Sequence, residues 1–536
     1  MLAHLSAQIA QLVEQRTENP RVTGSIPVLG TSRKADNSNM REWLSWWSTT
    51  LPRSGSRVRV PSRALYNFET SKKLVFLFVE RNTMNTQKEN KMGVLPVNRL
   101  IITMSLPMMI SMLIQAMYNI VDSMFVSQLG EDAFTALSLA FPMQNLMIAV
   151  GSGTGVGVNA LVSRNLGEKN FDEANKGANC GIFLALVSSI VFSVICLTCS
   201  KWVFIWQKAD IVITDYGTEY LTYCGGLCFG IFAQFIFERL LQCTGKTLFS
   251  MITQIVGAVI NIILDPIMIF GYFGCPAMGV KGAALATVIG QVCAAILALV
   301  FNLTVNKELT LSIRQIFRPS GRVIGKIYAV GVPSIIMASV GSVMNFGFNN
   351  ILMKFTSTAA AVFGAYFKIQ SFIFMPVFGL NNGLIPIISY NYGARQKKRL
   401  QQAIRYGVIY AVSIMVFGMI IMQVFPARLL SIFDASEEML AMGIPAIRTI
   451  SISFIFAGFC IACASVFQAF GKGFLSMVVS VIRQLVVLLP VAFLLSLTGS
   501  VDMVWWAFPI AEVFAVTLSG LFLYIVMKKI VRPMEA

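Results

Sequence analysis

A stripe of polar side chains runs through the first long apolar segment of this 536-residue chain. Ser111, Gln115, Asn119 and Asp122 recur at three- and four-residue spacing, which places them on one face of a helix. A carboxylate inside a membrane costs a few kcal/mol, so Asp122 needs a partner, a cavity or a proton. We interpret Asp122 as an ion- or proton-coupling residue. The alternative is a cap or an interhelical hydrogen bond near the end of the segment.

A second stripe with the same spacing runs through the fifth apolar segment. It consists of Gln254, Gly257, Asn261 and Asp265. We expect both stripes to face the interior of one half of the protein. A carboxyl group buried away from water favours its neutral form and can carry a proton. Asp265 is therefore the second predicted coupling residue.

Other polar residues within apolar segments could line the same path. The predicted cavity-lining residues are Gln115, Asn119, Asn261, Gln144, Asn345 and Gln370. Pro107 and Pro266 are predicted hinges, because proline removes a backbone hydrogen bond inside a helix. A static kink is the alternative for both. Glu238 and Arg239 are adjacent, so they point in different directions on a helix and need not pair.

Histidine and cysteine chemistry has little support in the sequence. His4 is the only histidine, which argues against histidine acid–base catalysis and histidine-ligated metals in the apolar body. Cys460 and Cys463 form a CxxC within an apolar segment, with no second pair, and buried small hydrophobic residues are the simpler interpretation. No GxxxxGK[ST] motif occurs. We predict no catalytic residue, no metal site and no cofactor, with H+ or Na+ as the coupling ion.

The composition indicates that lipid, rather than water, covers most of the chain. The sequence is 56% hydrophobic and only 12% charged, too few charges for the surface of a soluble protein of this length. The net charge is +17, but the basic residues of the apolar body lie between apolar spans of membrane length. We therefore expect no nucleic-acid partner. We predict an all-α polytopic membrane protein with twelve transmembrane helices at 100–126, 134–162, 177–199, 217–241, 249–271, 281–306, 324–354, 361–391, 402–424, 440–469, 476–496 and 503–529.

The charge of the loops predicts the orientation. Lys and Arg concentrate in the leader, the even-numbered loops and the C-terminal tail. The odd-numbered loops carry only Lys201, Lys208, Lys281, Lys354 and Arg428. By the positive-inside rule, both termini are cytoplasmic in a bacterial inner membrane.

An internal repeat joins the two halves of the apolar body at a constant offset of 226 residues, as from Pro107 to Pro333. The other matched positions include Asn119 and Asn345, Gln144 and Gln370, Gly153 and Gly379, Ser163 and Ser389, Gly167 and Gly393, and Gly245 and Gly471. Six spans in each half with the same charge bias indicate a parallel duplication. The acidic pair has no counterpart, because Phe348 and Val491 occupy the positions equivalent to Asp122 and Asp265. Coupling is therefore expected in the first half.

Residues 1–83 differ from the rest of the chain and are polar and basic. Gly24–Pro27 and Val58–Pro61 resemble the translation of transfer-RNA gene T-arms in two reading frames. We interpret 1–83 as a non-native extension from a start codon assigned too far upstream, with Met84 or Met92 as the true start. A disordered basic tail is the alternative.

The apolar body resembles the multidrug and toxic compound extrusion (MATE) transporters, in their bacterial MepA-like branch near the DinF type. The resemblance is carried by Leu106–Pro107, Tyr118–Asp122, Ser163–Gly167, Gln242–Lys246 and Asn261–Pro266. It implies two pseudo-symmetric six-helix bundles and a monomer that exports small cationic drugs and dyes across the bilayer in exchange for H+ or Na+. It also implies that Asp122 and Asp265 are the acidic positions of the first bundle. A flippase for lipid-linked saccharides is the alternative, and it would need a strongly cationic cavity.

The expected organisation follows from these spans. It comprises the 1–83 extension, a cytoplasmic leader at 84–99, a first lobe at 100–306, a cytoplasmic linker at 307–323, a second lobe at 324–529 and a tail at 530–536.

Overall fold

The computed structural model describes residues 90–433 and 435–534, which are helical and contain no strand within those ranges. The prediction for residues 1–83 lies outside them. Ten helical stretches, in which Gly473–Ser496 and Val501–Val531 each count as one, are long and apolar enough to cross a membrane. Two bent helix pairs bring the number of spans among the described residues to twelve. The predicted all-α, twelve-span fold is confirmed.

The first lobe follows a short leader helix, α1, at Lys91–Val94. Its helices are α2 Val97–Ser127, α3 Glu131–Gly167, α4 Phe171–Trp206, α5 Ile211–Gly226, α6 Phe229–Cys243, α7 Thr247–Phe270 and α8 Val280–Thr304. Pro107 and Pro266 lie inside α2 and α7, and both helices continue through them. The hinge role of each proline therefore stays a prediction.

A short linker helix, α9 at Ile313–Ile316, precedes the second lobe. The helices of that lobe are α10 Gly321–Leu352, α11 Ser357–Gly393, α12 Lys397–Val424, α13 Pro426–Ser431, α14 Glu437–Ser451, α15 Phe454–Ala469, α16 Gly473–Val481, α17 Leu489–Ser496, α18 Val501–Trp505 and α19 Ala507–Val526. Two π-helical segments, Ile482–Leu488 and Met527–Val531, continue α16 and α19.

The fourth and tenth spans are bent, whereas the sequence predicted continuous helices. Helices α5 and α6 meet at 43°, and α14 and α15 meet at 47°. At the second break, the hydroxyls of Ser451 and Ser453 donate to the carbonyls of Arg448 and Ile450 at 3.1 and 2.6 Å. Such local bonds compete with the regular helical pattern and favour bending.

The repeat is visible in equivalent hydrogen bonds. The Ser163 hydroxyl donates to the carbonyl of Cys243 at 3.1 Å, and the Ser389 hydroxyl donates to the carbonyl of Ala469 at 3.1 Å. Both bonds join the second span of a lobe to the end of its fourth. The turns after those fourth spans also match, with Gly245 at φ 82° and Gly471 at φ 73°. The 226-residue offset therefore describes a duplicated fold.

The two lobes meet along a seam in which α3 packs against α10 and α11 packs against α2, and glycines allow the close approach. A Cβ on Gly153 would lie 2.6 Å from Cγ1 of Ile335, and a Cβ on Gly379 would lie 2.5 Å from Cα of Met109. Met109 and Ile335 are themselves equivalent positions. In each lobe, therefore, the equivalent glycine of the second span packs against the first span of the other lobe. The seam also contains a hydrogen bond of 2.9 Å from the Arg239 guanidinium to Oδ1 of Asn382.

The leader bridges the lobes at the face that carries the basic loops, which we call the basic face. The Asn90 amide donates to the carbonyl of Thr244 in the first lobe at 3.2 Å and to Oε2 of Glu308 in the linker at 2.6 Å. From the second lobe, the Arg399 guanidinium donates to the carbonyls of Met92 and Leu95 at 3.0 and 2.8 Å. The Met92 side chain is fully buried. The leader thus connects the two lobes at the basic face.

Candidate functional site

A cavity of about 430 Å³ lies inside the first lobe. Helices α2, α3, α5, α6, α7 and α8 all contribute side chains to it. The polar residues that line it are Gln115, Tyr118, Asn119, Asp122, Ser123, Ser138, Gln144, Tyr220, Gln234, Gln254, Asn261, Thr287 and Gln291. Five of the predicted site residues are therefore brought together, namely Gln115, Asn119, Asp122, Gln144 and Asn261.

Asp265 lies behind the cavity wall rather than on it. Its side chain is fully buried one helical turn after Asn261. The Asn261 amide lies 3.3 Å from Oδ1 of Asp265 and 3.3 Å from the hydroxyl of Thr287. Asn261 therefore connects the buried carboxyl group to the cavity. Thr287, from α8, was missed by the sequence analysis because no periodic stripe includes it.

Three oxygens of the predicted coupling residues and of Asn261 have no hydrogen-bond partner. They are Oδ1 of Asp122, Oδ1 of Asn261 and Oδ2 of Asp265, and all three atoms are buried. Buried polar atoms in folded proteins are nearly always bonded, so unbonded ones call for an explanation. Acceptor oxygens without donors suit a proton or a small cation, and two of these three can bear negative charge.

A second buried carboxylate, that of Glu238, contacts residues that line the cavity. Glu238 accepts hydrogen bonds from Gln234 at 3.0 Å, from Thr253 at 3.2 Å and from Gln254 at 2.6 Å. Gln234 and Gln254 also line the cavity, so this network forms part of its floor. Glu238 and Arg239 point apart, as predicted, because Arg239 bonds to Gln242 at 2.8 Å and to the second lobe. The four-residue spacing of Gln234 and Glu238 was the available sequence signal.

The remaining wall is aromatic and apolar. Phe134, Phe141 and Phe235 line it, and the Gln144 amide donates to the Tyr220 hydroxyl at 2.8 Å. Among the described residues that line the cavity, none is Lys, Arg or His. The lining thus combines aromatic surface, amides and a carboxyl group without a basic side chain.

Two predicted cavity residues lie elsewhere. Asn345 in α10 and Gln370 in α11 are half-buried in the second lobe, and neither lines the first-lobe cavity. They match Asn119 and Gln144 in sequence position, but they do not share the cavity. The second lobe holds a different pair of buried polar side chains. There the Arg483 guanidinium pairs with Oε1 of Glu512 at 2.7 Å. A role for Asn345 and Gln370 in another part of the path stays a prediction.

Comparisons with known proteins agree with this architecture. The MatE family model matches residues 107–267 and again 333–494, one match in each lobe. The multidrug export protein MepA of Staphylococcus haemolyticus is 26% identical over 421 residues, covering 78% of this chain and 92% of that protein. MepA of Staphylococcus aureus strain MSSA476 is 25% identical over 431 residues, covering 80% and 94%.

Solved structures give the same fold. An outward-facing multidrug resistance MATE family transporter of the MOP superfamily has a TM-score of 0.78 at 24% identity, covering 83% of this chain and 99% of that one. A MOP superfamily transporter from Pyrococcus furiosus, whose binding pocket of reverse polarity suggests a different function, has a TM-score of 0.77 at 25% identity, covering 83% and 100%. With both halves matched by the family model, the chain belongs to the MatE family of multi-pass membrane transporters and is not an enzyme.

Proposed function

We propose that this protein is a secondary multidrug exporter that exchanges cationic, amphipathic compounds for H+ through Asp122 and Asp265. The observation that carries the proposal is the group of three buried, unpartnered oxygens contributed by Asp122, Asn261 and Asp265. A proton needs only one of these carboxyl oxygens, whereas Na+ would need several of them to face a single point. H+ is therefore the first choice and Na+ the alternative.

The cavity supports the substrate class. Its volume of about 430 Å³ falls within the range of sites that take drug-sized molecules. Aromatic faces attract cations, and Asp122 supplies a carboxyl group to the same cavity. The names of the MepA relatives support multidrug export. A flippase for lipid-linked saccharides would need basic groups to hold pyrophosphate, and the described lining has none.

The exchange follows from competition for one acidic site. When Asp122 and Asp265 are ionised, the cavity attracts a cationic compound. When they take up protons, that attraction is lost and the compound is released. We place the basic face, and with it both termini, on the cytoplasmic side of a bacterial inner membrane. The leader then joins the two lobes on the cytoplasmic side.

Drug-sensitive cells expressing the full chain test this proposal. Efflux of a cationic dye should stop on addition of a protonophore and should not respond to external Na+. Asp265→Asn should abolish efflux while the protein still reaches the membrane. Asp172→Asn is the matched control, because Asp172 is exposed at the start of α4 and does not line the cavity.

Two results would contradict the proposal. Unchanged efflux by Asp265→Asn would remove Asp265 from the coupling mechanism. Efflux that requires a Na+ gradient and survives the protonophore would replace H+ with Na+.

A further inference from the structure

A second cavity, of about 540 Å³, lies where the linker crosses the basic face. It is separate from the transport cavity and shares no lining residue with it. Its walls come from α4 of the first lobe, from the linker and from the start of α10 in the second lobe. The lining residues are Glu173, Lys176, Cys180, Arg314, Gln315, Arg318, Ser320, Arg322 and Val323.

The linker is fixed to the first lobe by two asparagines of α4. Oδ1 of Asn175 accepts from the backbone N–H of Thr310 at 2.9 Å, and Oδ1 of Asn179 accepts from that of Ser312 at 3.0 Å. The Asn179 amide donates to the Thr310 carbonyl at 3.1 Å and to Oε1 of Gln315 at 3.0 Å. Asn179 is almost fully buried. These bonds hold the linker wall of the cavity in a defined position.

The cavity has an excess of positive charge. Lys176 pairs with Glu173 at 2.9 Å. Arg314, Arg318 and Arg322 are exposed and have no acidic partner within 4.0 Å in the described part of the chain. Three guanidinium groups around one cavity form a site for an anion with several oxygens, such as a phosphate group.

Two large apolar side chains next to these arginines in the sequence are exposed. Ile313 is 77% exposed and Phe317 is 64% exposed. They are one helical turn apart, since the Phe317 N–H donates to the Ile313 carbonyl at 3.3 Å. An exposed apolar pair next to a basic cluster is the arrangement expected of a segment that lies at a membrane surface rather than in water.

We propose that this cavity binds the headgroup phosphate of an anionic phospholipid, with Arg314, Arg318 and Arg322 around the phosphate and Ile313 and Phe317 against the acyl chains. Charge complementarity selects an anionic lipid, and the apolar pair favours a lipid over a free phosphate ion. The bound lipid would touch α4, the linker and α10 together, and so bind the junction of the two lobes. The proposal does not depend on the coupling ion or on the exported compound.

Native mass spectrometry of the purified full chain tests the site. The probes are phosphatidylglycerol, phosphatidylcholine and inorganic phosphate, each titrated into the detergent-solubilised protein. We expect wild type to retain phosphatidylglycerol in preference to phosphatidylcholine. Substitution of all three arginines by glutamine should raise the half-saturating concentration of phosphatidylglycerol about a hundredfold. The matched control carries Lys398→Gln, Arg405→Gln and Lys529→Gln, which remove the same charge from exposed positions outside the cavity.

A gain-of-binding variant protects the test against misfolding. Glu173→Gln removes the one acidic side chain among the described residues that line the cavity. It should therefore lower the half-saturating concentration of phosphatidylglycerol several-fold, which an unfolded protein could not do. The proposal is overturned if the arginine variant binds phosphatidylglycerol as well as the control does, or if phosphatidylcholine binds equally well. It is also overturned if inorganic phosphate saturates the site at the same concentration as the lipid.

Discussion

Replacing the seam glycines with alanine should weaken the closed contact between the lobes. Gly153 and Gly379 are equivalent positions, and each packs against the partner lobe so closely that a Cβ would lie 2.5–2.6 Å from its nearest neighbour. Ordinary contact begins near 3.4 Å, so the helices must separate by about 0.9 Å at Gly379, the difference between 3.4 and 2.5 Å. At Gly379 the obstructing atoms belong to the backbone of Met108 and Met109, so no side-chain rotation relieves the overlap.

The magnitude follows from the cost of overpacking. Added methyl groups in a packed interior typically cost about 1–3 kcal/mol. If that cost falls on the closed seam alone, the ratio of closed to open molecules falls by about 5- to 150-fold. Gly379→Ala should have the larger effect. Gly153→Ala should have the smaller one, because the nearest backbone atom there, the Ile335 nitrogen, would lie at 2.9 Å rather than 2.5 Å.

Distance measurements between spin labels at Glu168 and Lys398 report on the seam, since these exposed residues lie on the basic face of different lobes. The background should lack the two exposed native cysteines, Cys199 and Cys275. Gly379→Ala should add a longer distance, and the control Gly364→Ala should not, because a Cβ at Gly364 meets nothing within 4 Å. An unchanged distance distribution for a folded Gly379→Ala protein would refute the packing argument.

Two further variants test buried polar groups. Arg483→Met should lower the free energy of unfolding by about 3–5 kcal/mol because it leaves the Glu512 carboxylate without its partner, and the double variant with Glu512→Met should recover most of the loss. Thermal unfolding of the purified protein measures both effects. Equal melting temperatures for the single and double variants would contradict the pairing. Glu238→Gln should also lower the melting temperature, by an amount equivalent to about 1–3 kcal/mol, because its new amide group turns a donor toward Gln234, Thr253 or Gln254. A melting temperature equal to that of Asp172→Asn would show that the network contributes nothing.

The span pattern, the duplication and most of the cavity could be predicted from sequence because each depends on a regular spacing. The stripe of Gln115, Asn119 and Asp122 places these residues on one helix face whatever packs against it. The fixed offset likewise fixes which residues are equivalent. Helix ends were less predictable: α2 begins at Val97 and α10 at Gly321, a few residues before the apolar runs do.

The rest depended on which helices meet. Thr287 and Thr253 join the site through bonds across helices, and no spacing within one segment reveals them. The bends of the fourth and tenth spans depend on local bonds, such as those of Ser451 and Ser453, that hydropathy does not record. Asn345 and Gln370 were assigned by equivalence, but neither residue lines the first-lobe cavity.

Proton-driven transport by the purified protein tests the central claim most directly. The full chain is reconstituted into liposomes, a pH gradient is imposed without Na+, and accumulation of a cationic dye is measured for wild type, Asp265→Asn and Asp172→Asn. The account predicts accumulation with wild type and Asp172→Asn and none with Asp265→Asn. Equal accumulation by Asp265→Asn, or accumulation by wild type only when a Na+ gradient replaces the pH gradient, would contradict it.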